Sequence, residues 1–193
     1  WLVAHNYPVD LLSMQQGNWK GASEMSEAYL SMPEATMLNA DAQLGTFPAG
    51  LTVWISEYNV QYSQLWGNKT GPVADWLRAT ENSMMHGVHV AAHILSGAAR
   101  EYVELMNYHT LFEVNPVSQP GFAMLALNDS GALIAPVAQV MGHLSKVFRE
   151  AFSAAAEVQM LSLLEEERSK IVITALGQGN LPCLQAAAFC FPG

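Results

Sequence analysis

The segment from Leu51 to Val60 constrains this chain more than any other, because it is an apolar, β-prone run carrying a single carboxylate, Glu57, near its C-terminal end. β-Branched and aromatic side chains favour extended backbone. Strand alternation puts Val53, Ile55, Glu57 and Asn59 on one face and Thr52, Trp54, Ser56 and Tyr58 on the other. Both faces are mostly apolar below Glu57, the pattern of a strand covered on both sides by helices in a parallel sheet. Burying an ionised carboxylate there costs several kcal/mol unless it is paired or used. Glu57 is therefore the first candidate functional residue.

Two other segments repeat this design. Trp1 to Pro8 reads as a short buried strand ended by Pro8, with His5 and Tyr7 on one face. Tyr102 to Phe112 reads as a strand in which Val103 and Leu105 are followed on the same face by Asn107 and His109. Between the strands the composition turns helical. Gly21 to Leu44 is rich in Glu, Met, Ala and Leu, with Pro33 expected to interrupt the helix. Pro72 opens a helix expected from about Val73 to Ala98. At ~100° per residue, Val73, Trp76, Leu77, Met84, Val88, Ala91 and Leu95 fall on its packed side. Asp75, Asn82, His86, His89, His93 and Arg100 fall opposite, so the histidine row is expected to face solvent.

Phe122 to Leu127 and Ala132 to Ala135 flank Asn128, Asp129, Ser130 and Gly131 as a hairpin would. Pro136 starts a further helix to about Phe152, with Val137, Val140, Met141, Leu144 and Phe148 on the packed face and Gln139, His143, Lys146 and Glu150 opposite. This alternation of strands and helices predicts an α/β fold with parallel strands joined by crossover helices over residues 1–156. Residues 157–193 differ in character, with Lys170 to Leu176 reading as a strand of an incomplete C-terminal β segment. Three strands whose apolar bases end in polar side chains fit a barrel or doubly wound sheet with its site at the strand C-termini.

A formal charge of −9, with 13% charged residues, argues against nucleic acid or an anionic membrane as partner, since both need a basic footprint. No uninterrupted apolar run approaches the ~20 residues of a membrane-spanning helix. The first residues lack the features of a signal peptide and open inside an apparent strand, so an upstream continuation or an oligomer partner is expected to complete the sheet. Cys183 and Cys190 are close enough in sequence to pair, or to sit as buried thiols. With sequons at Asn68 and Asn128 that short polar stretches also contain by chance, the compartment stays open. Metal binding by His86, His89 and His93 is the alternative to weigh, since His89 and His93 are one helical turn apart, as zinc ligands can be. The helical zinc-protease pattern needs Glu directly after the first His, where this chain has Val90. Neither a metal nor another cofactor is expected.

The run His5, Asn6, Tyr7, the strand Trp54 to Asn59 after a long connection, and the Gly71-Pro72 helix leading to Asn107, Tyr108 and His109 resemble a known family. They look like the C-terminal half of a retaining glycoside hydrolase (β/α)8 TIM barrel, most like the α-L-arabinofuranosidases. The resemblance covers roughly Trp1 to Phe152. It implies a partial barrel of about the last three strand-helix units, followed by the start of a C-terminal β-structure. It implies Glu57 as the catalytic nucleophile, His5, Tyr7, Asn107 and His109 as substrate-binding residues, and an arabinofuranoside-type carbohydrate as substrate. In a retaining mechanism a second carboxyl group ~5 to 5.5 Å away protonates the leaving oxygen. In this family that glutamate lies on the fourth strand, before the point where this sequence begins. The chain by itself is accordingly expected to be inactive or nearly so. The alternative is a non-catalytic carbohydrate-binding or relic interaction protein.

Overall fold

A computed structural model describes residues 2–6, 21–46, 49–59, 75–76, 79–80, 83–114, 123–154, 157–160 and 187–190 of the chain. Strands β1 (Leu2–Asn6), β2 (Val53–Tyr58) and β3 (Val103–Tyr108) form a three-stranded parallel sheet in that order. Parallel neighbours need a crossover connection. Helix α1 (Ala22–Leu44) lies between β1 and β2, and α2 (Met84–Ala98) between β2 and β3. The α/β class expected from the sequence is thus observed, and the described strands form an open sheet, not a closed barrel.

Beyond β3 the chain builds a second sheet from β4 (Phe112–Val114), β5 (Leu125–Asn128) and β6 (Gly131–Ile134). The strand expected from Tyr102 to Phe112 is therefore divided, because β3 ends at Tyr108 and β4 pairs with β5 instead. β5 and β6 form the expected hairpin across Asp129 and Ser130, closed by Gly131 at φ 122°, which an L side chain rarely adopts. Helix α3 (Pro136–Ser153) follows, and β7 (Glu157–Met160) pairs antiparallel with β8 (Ala187–Cys190). Tyr7, the Asn68 sequon, Lys170 to Leu176 and Cys183 lie outside the described residues.

Pro33 does not interrupt α1, which runs unbroken from Ala22 to Leu44 with Pro33 buried inside it. A proline lacks the N–H that would bond the carbonyl four residues back, here that of Tyr29. His89 Nδ1 on α2 lies 2.7 Å from the Tyr29 carbonyl oxygen and supplies a donor from outside the helix. The sequence break is repaired by a tertiary hydrogen bond.

The helix expected over 73–98 is also different. Residues 75–76 and 79–80 are helical, but α2 starts afresh after Ser83, whose extended backbone (φ −101°, ψ 166°) breaks the run. The Ser83 hydroxyl and N–H both donate to the Thr80 carbonyl, at 2.6 and 2.9 Å, and hold that break. The larger correction concerns orientation. His86, His89 and His93 are buried, at 1%, 0% and 1% exposure, while Met84 and Val88 on the supposed packed side face solvent. α2 packs between α1, α3 and the sheet, and its close approaches are made at small residues. A Cβ at Gly87 would lie 2.7 Å from Val140 of α3, and one at Gly97 would lie 2.2 Å from the Met106 sulfur of β3. α3 keeps the face expected of it, with Val137 buried and Gln139, His143, Lys146 and Glu150 exposed.

The core joins Met37 of α1, Val53, Ile55 and Tyr58 of β2, Val90 of α2, and Ala135 and Val137 at the start of α3. At the opposite end of the sheet from the strand C-termini, Arg100 binds Glu34 and Asp41 of α1 at 3.0 and 2.8 Å. Burial works against ionising Asp41, yet hydrogen bonds from Arg100 and Tyr102, with the Arg100 charge, hold its carboxyl below the usual range. This cluster ties α1 to the turn before β3.

Candidate functional site

The geometry around Glu57 depends on an irregularity in β2. Val53 and Ile55 face the helices, but so does Tyr58, which joins the same core cluster and stacks edge-on against His93 and Tyr108. Strict alternation would put Tyr58 on the other face. The register explains the change: Ala4 pairs with Ile55 and His5 with Glu57 on one side, and Ile55 with Met106 and Tyr58 with Tyr108 on the other. Ser56 is the extra residue of a bulge, and its hydroxyl donates to the Ala4 carbonyl at 3.2 Å.

The bulge re-aims everything after it. Glu57, next to the inward-facing Tyr58, turns to the face not covered by the described helices, with Trp54. The faces expected from plain alternation, with Glu57 and Asn59 beside Val53 and Ile55, are corrected accordingly. So is the expectation of a strand buried on both sides, because on the second face Trp54, Ser56 and Glu57 are only half-buried and Val3 and Leu105 are exposed.

Along this open face one row is apolar, with Val3 paired to Trp54 and Trp54 to Leu105. The Trp54 indole N–H donates to Glu104 at 2.9 Å, which fixes the ring. One row further toward the strand C-termini stands Glu57, with the His5 backbone in register with it on one side and Asn107, which opposes the Ser56–Glu57 bulge and is exposed, on the other. His109 lies just past the end of β3, exposed, with its N–H donating to the Tyr58 carbonyl at 3.1 Å. Four of the residues singled out in the sequence are thus gathered by the backbone at one end of the sheet, and Tyr7 lies outside the described residues.

Asn59 takes no place on the open face. It is buried, its Nδ2 donates to the His109 carbonyl, and its Oδ1 lies 2.9 Å from His86 Nε2. Burial pushes the Tyr58 and Tyr108 hydroxyls up, so both stay neutral behind the site. His86 stands out in the sequence only as one of a histidine row expected to face solvent, and nothing there points to Asn59, 27 residues away, as its partner. Trp54 was visible only as part of an apolar face. Among the described residues no three His, Cys, Asp or Glu side chains are grouped as metal ligands. The helix histidines are instead spent on protein hydrogen bonds, His86 to Asn59 and His89 to the Tyr29 carbonyl.

The arrangement offers a half-buried carboxylate at the C-terminal end of a central parallel strand, flanked by polar residues at the same level and underlain by an indole. A carboxylate so placed can accept protons, bind hydroxyl groups or attack an electrophilic carbon. In parallel α/β sheets ligands bind beyond the strand C-termini. Comparison with known protein families, with curated proteins and with solved structures finds no match to the chain.

Proposed function

We propose that this chain is the nucleophile-bearing, C-terminal part of a (β/α)8 barrel of a retaining glycoside hydrolase, acting on an arabinofuranoside-type carbohydrate. The observation that carries this reading is the Ser56 bulge, which turns Glu57 onto the open face in register with His5. Glu57 attacks the anomeric carbon, the glycosidic bond breaks, and water later releases the sugar from the resulting ester. The resemblance assigns His5, Tyr7, Asn107 and His109 to the sugar subsite, and the acid that protonates the leaving oxygen comes from outside the described sheet. The second reading, a non-catalytic sugar-binding protein, has its own support. Glu104, the other carboxylate of the described parallel sheet, is engaged by Trp54 in mid-strand and not presented at the strand ends.

The test needs no general acid. An arabinofuranosyl fluoride or dinitrophenyl glycoside carrying fluorine at C2 has a leaving group that departs without protonation, and it accumulates as the glycosyl ester. Incubation of the chain with this reagent, followed by peptide mass spectrometry, is expected to find the label on Glu57 and none on Glu57→Gln. Reversible binding without a covalent adduct would select the binding-protein reading. A label on any other carboxylate would overturn the assignment.

A further inference from the structure

We infer that His86 is a positioning residue for the Glu57 site, acting through Asn59 on the His109 segment; the inference rests on the glycosidase reading above. The chain of bonds is explicit. The His109 carbonyl can only accept, so Asn59 must present its Nδ2 to it. That orientation turns Oδ1 to His86, and Oδ1 accepts only, so the proton on His86 sits at Nε2. The Tyr108 hydroxyl also bonds the Asn59 side chain. All of this occurs in the interior, with Asn59 and His86 each at 1% exposure. A flipped amide would face a donor with a donor at one end and an acceptor with an acceptor at the other. The His109 carbonyl and the His86 Nε2–H therefore hold Asn59 in one orientation from its two ends, and Asn59 sets where β2 holds the turn after β3.

The consequence falls on the site because two members of this network belong to it or adjoin it. Asn59 follows Glu57 by two positions, and the carbonyl it holds belongs to His109 itself. The His109 N–H is already bonded to Tyr58, so the two backbone bonds together fix His109 beside the end of β2. Loss of the His86 donor removes one of the two groups that hold the amide and loosens its bond to the His109 carbonyl.

The experiment uses the fluorinated arabinofuranosyl reagent with wild type, His86→Phe, which keeps the ring volume without a donor, and His86→Gln, which restores an N–H donor. The rate constant for labelling at saturation is expected to fall about tenfold or more in His86→Phe, as for a misplaced reacting group, and to recover largely in His86→Gln. The reagent concentration giving half-saturation is expected to change little. Equal labelling rates in wild type and His86→Phe would overturn the inference. Nitrogen NMR of the wild-type imidazoles supplies a readout independent of labelling and of variant folding, with a slowly exchanging proton on His86 Nε2 expected. A proton on Nδ1 alone would overturn the inference. If wild type takes no label but His86 carries the Nε2 proton, and the His109 amide resonance shifts in His86→Phe, the glycosidase reading fails while the network stands.

Discussion

Pro33 and His89 form a pair that neither helix explains alone. A proline inside a helix removes a hydrogen bond and crowds the preceding turn, at a cost of ~3 kcal/mol or more. Here the Tyr29 carbonyl, which Pro33 cannot serve, receives the His89 Nδ1 proton at 2.7 Å, and the two rings pack with centroids 4.4 Å apart. The bond also fixes the tautomer of His89, leaving its buried Nε2 without a hydrogen-bond partner among the described residues. His89→Phe in the wild-type background removes the donor and is expected to cost about 1–3 kcal/mol. In a Pro33→Ala background the restored N–H can serve Tyr29 from within α1, and the same replacement is expected to cost about 1 kcal/mol less. Urea unfolding of the four proteins gives the coupling energy, and a value indistinguishable from zero would show that the bond does not compensate for Pro33.

At the scale of elements, α2 and α3 show which helices can be oriented from sequence. α3 carries Lys146, Arg149 and Glu150, whose burial would be costly, so its wet face could be read directly. α2 has no Asp, Glu, Lys or Arg between Met84 and Ala98, and only histidines marked a polar side. A neutral imidazole with a hydrogen-bond partner is compatible with the interior, so that mark pointed the wrong way. The better signal was the set of small residues, Gly87, Ala92, Ser96 and Gly97, which permit close packing. The same limit applies to the site. Glu57 could be singled out because a carboxylate in an apolar strand needs a reason, but its direction depends on the Ser56 bulge, which leaves no pattern in composition or period. The close packing of α2 has a measurable consequence. Gly87→Ala gains ~1 kcal/mol of helix propensity but forces a methyl against Val140, with Val137 backbone at 3.5 Å behind it. Overpacking of this kind costs about 1–3 kcal/mol, so a net loss of roughly 1 kcal/mol is expected. Gly97→Ala meets the flexible end of Met106, which can swing aside, and is expected to be nearer neutral. Thermal unfolding of the two variants checks the order, and an equally stable Gly87→Ala would contradict the packing described.

For the whole molecule, the buried histidines make stability depend on pH in a definite direction. Burial is the main cause holding His89 well below its ordinary range, reinforced by His93 and His86 and opposed by its bond to the Tyr29 carbonyl. Burial likewise pushes His93 down to about 3, with Arg100 adding to the effect. In the unfolded chain both titrate near ~6.5. Their neutral burial therefore contributes no penalty above that pH, and as pH falls below it the unfolded state takes up protons that the folded state refuses. The slope is about 1.4 kcal/mol per pH unit for each histidine, so roughly 3 to 4 kcal/mol is expected to be lost between pH 6.5 and 5. That is a large share of the ~5–15 kcal/mol typical of a folded domain. One effect opposes it: the net charge of −9 shrinks as pH approaches the isoelectric point of about 5.0, relieving repulsion. Among the described residues none of the carboxylates is buried, so their repulsion is screened over about 8 Å at 0.15 M salt, whereas the buried imidazoles are not, and the histidine effect dominates at that ionic strength. Urea midpoints measured at constant m-value from pH 7.5 to 5 are expected to fall steadily, and His93→Phe is expected to show about half the wild-type slope. A wild type as stable at pH 5 as at pH 7, or an unchanged slope in His93→Phe, would mean that α2 opens to solvent before the histidines charge.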